Sequence, residues 1–385
     1  MATNNKIAKC PPLRFPEFAD EWKQTTLGEI AEVNPTTTKS LPLRFQYIDL
    51  ESVEKGRIVK NNVLTREDAP SRAQRILNNG DVIFQMVRPY QQNNLYFNLK
   101  GNIPVVASTG YAQLRGFQSS LFLYYAVHTP NFLGEVLNRC TGSNYPAINS
   151  ADLSTISLSL PSLAEQEKIA SFLSLIDERI QSCSETIKER KREKAALLNQ
   201  LFSQKLRFPQ FSDEWQQTML GEIAEILNSR RKPITSSDRV RGDYPYYGAS
   251  GIIDYVNEYI FDEQLLLIGE DGAKWGKDEK TAFIVSGRCW VNNHAHVLRF
   301  QNYPTYKLIE AFFFSLNLKP FVTGDAPPKL TLENLKSILI HFPSLAEQEK
   351  IADFLSLIDE RIEVEEELLE QYERQKRYLL KQMFI

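Results

Sequence analysis

Two stretches of this chain each occur twice, and that duplication limits the architecture more than any other feature. LRFPEFADEWKQTTLGEIAE at 13–32 returns as LRFPQFSDEWQQTMLGEIAE at 206–225, with 16 of 20 positions identical. PSLAEQEKIASFLSLIDERI at 161–180 returns as PSLAEQEKIADFLSLIDERI at 343–362, with 19 of 20 identical. The offsets are 193 and 182, so the second unit is 11 residues shorter between its matched blocks. The intervening segments barely resemble each other until their ends, where TGSNYPAINSADL (141–153) aligns with TGDAPPKLTLENL (323–335). The order is variable, constant, variable, constant.

The second constant block has the start signals of a helix. Ser162 as N-cap with Glu165 three residues on makes a capping box, and Ser344 with Glu347 repeats it. Apolar positions then alternate at spacings of four and three: Ile169, Leu173, Ile176, Ile180, Cys183 and Ile187, with Leu197 and Leu201 beyond. The second copy has Ile351, Leu355, Ile358 and Ile362, then Leu369, Leu379 and Met383. This 3.5-residue period is the sequence condition for a coiled coil, each helix running roughly 50 Å. Arg190, Lys194, Glu365 and Lys376 interrupt the seam. An antiparallel pair would bring Arg190 near Glu365; alternatively both snorkel outward. Periodicity leaves open whether the helices pair within one chain or between chains. The first helix runs directly into LRFPQF, whereas the chain opens near LRFPEF and the second helix stops at LLKQMFI. The pattern is that of a closed circle of two units cut once. Paired antiparallel within one chain, such helices make a pseudo-two-fold object, suited to touching duplex DNA at two places.

A net charge of −3 looks wrong for a nucleic-acid partner, but the average conceals a division. Residues 33–160 carry 12 basic and 8 acidic side chains and residues 226–342 carry 14 and 13, while the remainder is net −8. The acidity sits in the repeated blocks. The 385 residues are 42% hydrophobic and 24% charged, which suits two or three globular domains and excludes a disordered or collagen-like chain. No run approaches the ~18 apolar residues of a spanning helix. The opening MATNNKIAKC has no secretory apolar core, and a cytoplasmic location is expected. Cys10, Cys140, Cys183 and Cys289 fit no metal or disulfide spacing and are expected as reduced thiols.

The first variable segment contains GDVIFQMVRPYQQNNLYF (80–97). A short apolar strand there leads into Gln85, Arg88, Tyr90, Gln91, Gln92, Asn93 and Asn94. Amides and guanidinium groups pair in bidentate fashion with purine edges. Arg72 and Arg75 add charge suited to phosphates. Ser143, Asn144 and Tyr145 follow a Thr-Gly turn before the helix block. All of these fit a polar surface loop as well as a DNA contact. The second variable segment offers Arg230, Arg231 and Lys232 as its densest basic cluster. Lys274, Trp275 and Lys277 lie in a glycine-bounded loop after a buried-looking strand, and Asn292, Asn293 and His294 are suited to base edges. Lys329, in the turn aligned with Ser143–Tyr145, completes the DNA-binding candidates. Tyr244 and Trp290 read better as core of a β-rich domain.

Catalytic patterns fail. GAKWGK at 272–277 is one residue short of a phosphate loop and lacks Ser or Thr after Lys277. Asp278-Glu279-Lys280 after Asp271 faintly matches a nuclease element, without a strand pair to present it. His294 and His296 have only Cys289 nearby, too little for a metal. No adenine methyltransferase tetrad accompanies a glycine-rich cofactor loop. No catalytic or cofactor residue is therefore expected.

Two variable segments, each followed by a PSLAEQEKIA…LIDERI helix and joined by FPQFSDEWQQTMLGEIAE, resemble the specificity subunit of type I restriction-modification systems. The GEDGAKWG loop, the WVNNHAHVL strand and LENLKSILIHFPSLAEQEKIA are typical of its target-recognition domains. The resemblance covers the chain from Leu13, less clearly in the first variable segment than in the second. It implies an α+β fold: two α/β target-recognition domains, at 13–160 and 206–342, separated by two long helices packed as an antiparallel intramolecular coiled coil. The central conserved helix (161–205) and the C-terminal one (343–385) act as spacer. It also implies that each domain reads one half of a bipartite asymmetric site in double-stranded DNA. Two methyltransferase subunits and restriction (motor-nuclease) subunits are the implied partners, with S-adenosylmethionine and ATP on those partners. A two-armed coiled-coil adaptor without sequence-specific DNA binding is the alternative the residues allow.

Overall fold

In the computed structural model the described residues are 10–36, 40–99, 101, 103–324 and 327–385. Most of the opening MATNNKIAKC, and Asp325-Ala326 of the second Thr-Gly turn, lie outside them. The chain divides into two compact units, Met1–Ser182 with Leu368–Ile385, and Cys183–Glu367. Each mixes helices and sheets.

In the first unit, Lys23–Thr26 pairs antiparallel with Ser157–Leu160, joining the start of the variable segment to its end. Two four-stranded sheets lie between these strands in sequence. One runs Ala31–Val33, Tyr111–Gly116, Asp81–Gln85, Leu95–Tyr96; the other runs Asn62–Thr65, Arg44–Ile48, Val105–Ser108, Ala73–Ile76. The second unit repeats the scheme. Gln216–Met219 pairs with Leu339–Phe342. One sheet runs Glu225–Ile226, Ala295–Arg299, Leu265–Gly269, Ala282–Val285, and the other Gly251–Val256, Arg241–Gly248, Arg288–Val291, Phe261–Asp262. Among the described residues each unit has one parallel pairing, at the equivalent place: Val105–Ser108 on Arg44–Ile48, and Arg288–Val291 on Arg241–Gly248. The central strands DVIFQ and LLLIG are buried at every position, as a strand covered on both faces must be. Tyr246 is the fully buried tyrosine of the YPYY run, with Tyr244 and Trp290 only half-buried.

The long helices are Leu163–Phe202 and Leu345–Gln382. Their apolar stripes enter the cores of both units. Ile169, Ala170, Leu173 and Ile176 join Leu379, Leu380, Met383 and Phe384 in the first. Leu198 and Leu201 join Ile351 and Leu355 in the second. Lys376 meets Asp177 at 2.5 Å in the first unit, and in the second Lys194 meets Asp359 and Lys191 meets Glu366. Lys194 and Lys376, two of the polar interruptions of the seam, are thus ion-paired. Arg190 makes no ion pair with Glu365 among the described residues; its Nε is enclosed without a partner, and the neighbouring Lys191 takes the carboxylate partner instead.

The capping boxes do not close as expected. Ser162 Oγ accepts from the Glu165 amide at 3.4 Å, but the Glu165 carboxylate is gripped by both Nε and Nη2 of Arg14, each at 2.7 Å. In the second unit Arg207 holds Glu347 the same way, at 2.8 Å. The two repeated blocks are therefore two halves of one contact: the arginine of LRFP neutralises the buried first glutamate of AEQEK. Bidentate geometry and burial make this pair worth more than an exposed one. The Leu13 amide donates to Gln382 O at 2.9 Å in the first unit, as the Leu206 amide donates to Gln200 O at 3.1 Å in the second. Equivalent residues of the two repeats thus make the same backbone hydrogen bond.

Candidate nucleic-acid interface

In both variable segments one group of candidates lies on the same structural feature, the loop that leaves the central strand: Arg88 to Asn93 in the first and Lys274 to Lys277 in the second. In the first unit this loop follows Asp81–Gln85 and is tied to the Thr-Gly turn by a Val87–Ala147 bridge. In the second it follows Leu265–Gly269 and is tied by the corresponding Asp271–Lys329 bridge. Segments of unrelated sequence therefore put GDVIFQMVRPYQQNN and LLLIGEDGAKWGK in the same place.

In the first unit Gln85 and Asn94 lie inside, each only 1% exposed. The Gln85 amide nitrogen donates to Val87 O and Gln91 Oε1, its Oε1 accepts from the Asn93 backbone, and its own backbone N–H donates to Asn94 Oδ1. These two side chains hold the loop's shape instead of facing a base. Arg88 and Gln92 flank the turn Pro89–Gln91 in left-handed conformations, with φ of 53° and 50°. Gln92 is half-buried, its amide reaching His128 O, and Asn93 is half-buried too. Tyr90 and Gln91 are exposed, as are Ser143, Asn144 and Tyr145 across the bridge. The Arg88 amide donates to Pro146 O at 2.7 Å, and its guanidinium lies over the Tyr145 ring at 4.3 Å. Arg72 is exposed nearby: its carbonyl accepts from Thr109, next to Gly110, whose carbonyl accepts from Met86. Arg75 is half-buried with an unpartnered Nε, and burial pushes its guanidinium below the ordinary value. Arg72, Arg75 and Arg88 meet no carboxylate among the described residues.

Behind this loop sits His128. Its Nδ1 lies 2.6 Å from Tyr124 O and its Nε2 3.3 Å from Asn94 Nδ2. The carbonyl requires the proton on Nδ1, so Nε2 accepts. Burial, aided by Lys376, pushes this imidazole down to about 4 against the opposing pull of Tyr124 O and Asp177.

In the second unit most arginines are already neutralised. Arg230 pairs with Glu263 at 2.7 Å and lies over Phe261; Arg231 pairs with Glu270 at 2.5 Å and donates to Ala295 O. Lys329 also meets Glu270, at 2.7 Å. Burial alone would raise the Glu270 carboxyl, but the hydrogen bonds from Lys329 and Arg231 outweigh it and hold the group below its usual value. His296, buried beside Glu270, is pushed down by burial and has Nε2 2.7 Å from Leu330 O. His294 Nδ1 lies 2.5 Å from Asp271 Oδ1. Trp275 is 8% exposed and packs in the apolar core, and Asn292, 3% exposed, accepts from the His294 amide to shape its turn. Both support the loop from inside. Lys232, Lys274, Lys277 and Asn293 are exposed, and these lysines meet no carboxylate among the described residues.

Sequence reasoning passed over Glu270 as the hub that organises Arg231, Lys329 and His296. The available signal was an acidic pair directly after a fully apolar strand, where a charge is tolerated only with partners. No group of three or more His, Cys, Asp or Glu among the described residues could hold a metal ion. No helix is long and apolar enough to cross a membrane.

The comparisons with known proteins agree with one another. The chain is 37% identical over 145 residues to the putative type I restriction enzyme specificity subunit S.HindORF215P of Haemophilus influenzae, a match spanning 38% of this chain and 37% of that protein. It is 22% identical over 404 residues to the putative MjaX specificity subunit of Methanocaldococcus jannaschii, spanning 94% and 93%. In fold it is similar to the S subunit of a type I restriction-modification system from M. genitalium, with TM-score 0.62, 18% identity and coverage of 98% and 99%. A chain from a structure of the type I R-M system gives TM-score 0.55 at 20% identity over 96% and 98%. The family model for the type I restriction modification DNA specificity domain matches twice, over residues 19–190 and 212–374, and the chain belongs to that family.

Proposed function

We propose that this chain is the sequence-reading, non-catalytic subunit of a type I restriction-modification complex. Residues 13–160 and 206–342 act as target-recognition domains, each reading one half of a bipartite asymmetric site in duplex DNA. The helices within 161–205 and 343–385 pair antiparallel inside the chain, set the spacing of the half-sites and dock two methyltransferase subunits; motor-nuclease subunits join for restriction. S-adenosylmethionine and ATP belong to those partners, and the complex works in the cytoplasm.

The observation that carries the reading is the common loop after each central strand. In the first unit half-buried Arg88 and exposed Tyr90 and Gln91 lie there, and in the second exposed Lys274 and Lys277, in each case on a loop bridged to the Thr-Gly turn, while the surrounding sequences diverge. Different residues on one scaffold are what two half-sites of different sequence require. Helix pairing within one chain is supported by register. A step of 17 residues along the first helix, from Asp177 to Lys194, is matched by a step of 17 back along the second, from Lys376 to Asp359. Acidic helices suit protein docking better than phosphates.

The test is an electrophoretic shift with the partner methyltransferase present, using unmodified and fully modified genomic fragments and random duplex as competitor. Selective retention of fragments sharing a gapped sequence supports DNA reading. Equal retention of every fragment favours the adaptor.

A further inference from the structure

The loop after the central strand turns through a left-handed residue at the same place in both units. In the second unit it is Gly272, φ +70°, with nothing within 4 Å of where a Cβ would stand. In the first it is Arg88, φ 53° and ψ 54°. Each directly follows its bridge residue, Asp271 or Val87. Glycine takes this conformation freely, whereas a long side chain is strained there. The backbone thus asks for glycine twice, and the first unit carries an arginine instead. Strain of this kind persists where the placed side chain has a task.

The placement is specific. The guanidinium lies over the exposed Tyr145 ring at 4.3 Å, a contact that restrains where the guanidinium sits. Its Nε is enclosed and unpartnered, and no hydrogen bond or ion pair among the described residues occupies the two terminal nitrogens. What remains open is an end-on fork of parallel donors. Such a fork matches the O6 and N7 acceptors of guanine in the major groove. A contact with phosphate needs charge but no fixed plane, and exposed Arg72 supplies charge close by. We propose that Arg88, positioned by Tyr145, reads a guanine in the half-site recognised by the first unit. This rests on the function proposed above and goes further by naming the base.

The test uses the full chain in complex with its methyltransferase and the duplex motif found by methylation mapping, its first-unit half-site identified by exchange of residues 33–160. With the wild-type chain, replacing the guanine by 7-deazaguanine, which lacks N7, should weaken binding roughly ten- to hundred-fold. Arg88→Gly adopts the conformation that Gly272 already shows, so it should fold. In that variant the same base replacement should change binding less than about two-fold, and mapping should show the guanine position degenerate with the other half-site intact. Arg88→Lys keeps the charge and should lose the discrimination equally. Tyr145→Ala should lower discrimination and Tyr145→Phe preserve it. A wild-type gapped motif that Arg88→Gly leaves unchanged overturns this inference alone. So does a uniform loss of affinity on all duplexes with a shallower salt dependence, which marks a phosphate contact. A wild-type chain giving no gapped motif overturns the proposed function and this inference with it.

Discussion

His128 gives the first unit a pH dependence whose size can be worked from its surroundings. The imidazole is held neutral, Nδ1 donating to Tyr124 O and Nε2 accepting from Asn94, whose Oδ1 in turn accepts from the Gln85 backbone at the root of the loop that follows the central strand. Burial lowers its pKa from 6.5 to about 4. Above pH 6.5 folded and unfolded chains both carry it neutral, and its stabilising effect is fully present. As pH falls from 6.5 toward 4, the unfolded chain takes up the proton first and stability is lost. The shift corresponds to roughly 1 kcal/mol at pH 5.5 and about 3 kcal/mol near pH 4. Trp22 is the sole tryptophan of its unit, so fluorine NMR of the 5-fluorotryptophan-labelled chain follows that unit separately in a urea titration. The Trp22 midpoint should drop between pH 7 and pH 5.5 by the equivalent of roughly 1 kcal/mol. In His128→Gln that difference should vanish, while the tryptophan signals of the second unit, where buried His296 titrates in the same direction, keep theirs. An unchanged Trp22 midpoint in the wild-type chain, or the same drop in His128→Gln, refutes the reasoning.

Arg14→Leu leaves the Glu165 carboxylate, 1% exposed, without its counter-charge. It should destabilise the first unit by about 3–5 kcal/mol in the same titration, with Arg14→Leu/Glu165→Leu recovering much of the loss. Exchanging residues 33–160 for another variable segment should change one half-site in methylation mapping; a change in both counts against modular reading. Inserting residues around Phe202–Lys205 should alter the spacer of the recognised sequence, and new half-sites with the old spacer would reject the role given to the helices.

The repeated blocks, the long helices and the edges of the variable segments were legible because they rest on local signals: identity, a 3.5-residue period, capping residues and prolines. The contact between Arg14 and Glu165 was present as well, in two blocks that recur together, but a glutamate three residues after a serine also satisfies a capping box. Only burial decides between them. The common fold of the variable segments was not legible, since each central strand needs only an unbroken apolar run and DVIFQ shares little with LLLIG. Amides posed the same difficulty in the loops. Gln85, Asn94 and Asn292 have the chemistry of base readers and lie buried, satisfied by backbone, whereas Gln91 and Asn293 have the same chemistry and are exposed. Arg88 read as one polar residue among several until its backbone conformation and the Tyr145 ring distinguished it.

Single-molecule sequencing of modified bases in cells carrying this chain with its methyltransferase addresses the central claim most directly. Modification should fall on one asymmetric sequence split by a spacer of fixed length, and should disappear when this chain is deleted. Modification at an ungapped sequence, or at the same sites without the chain, would contradict it.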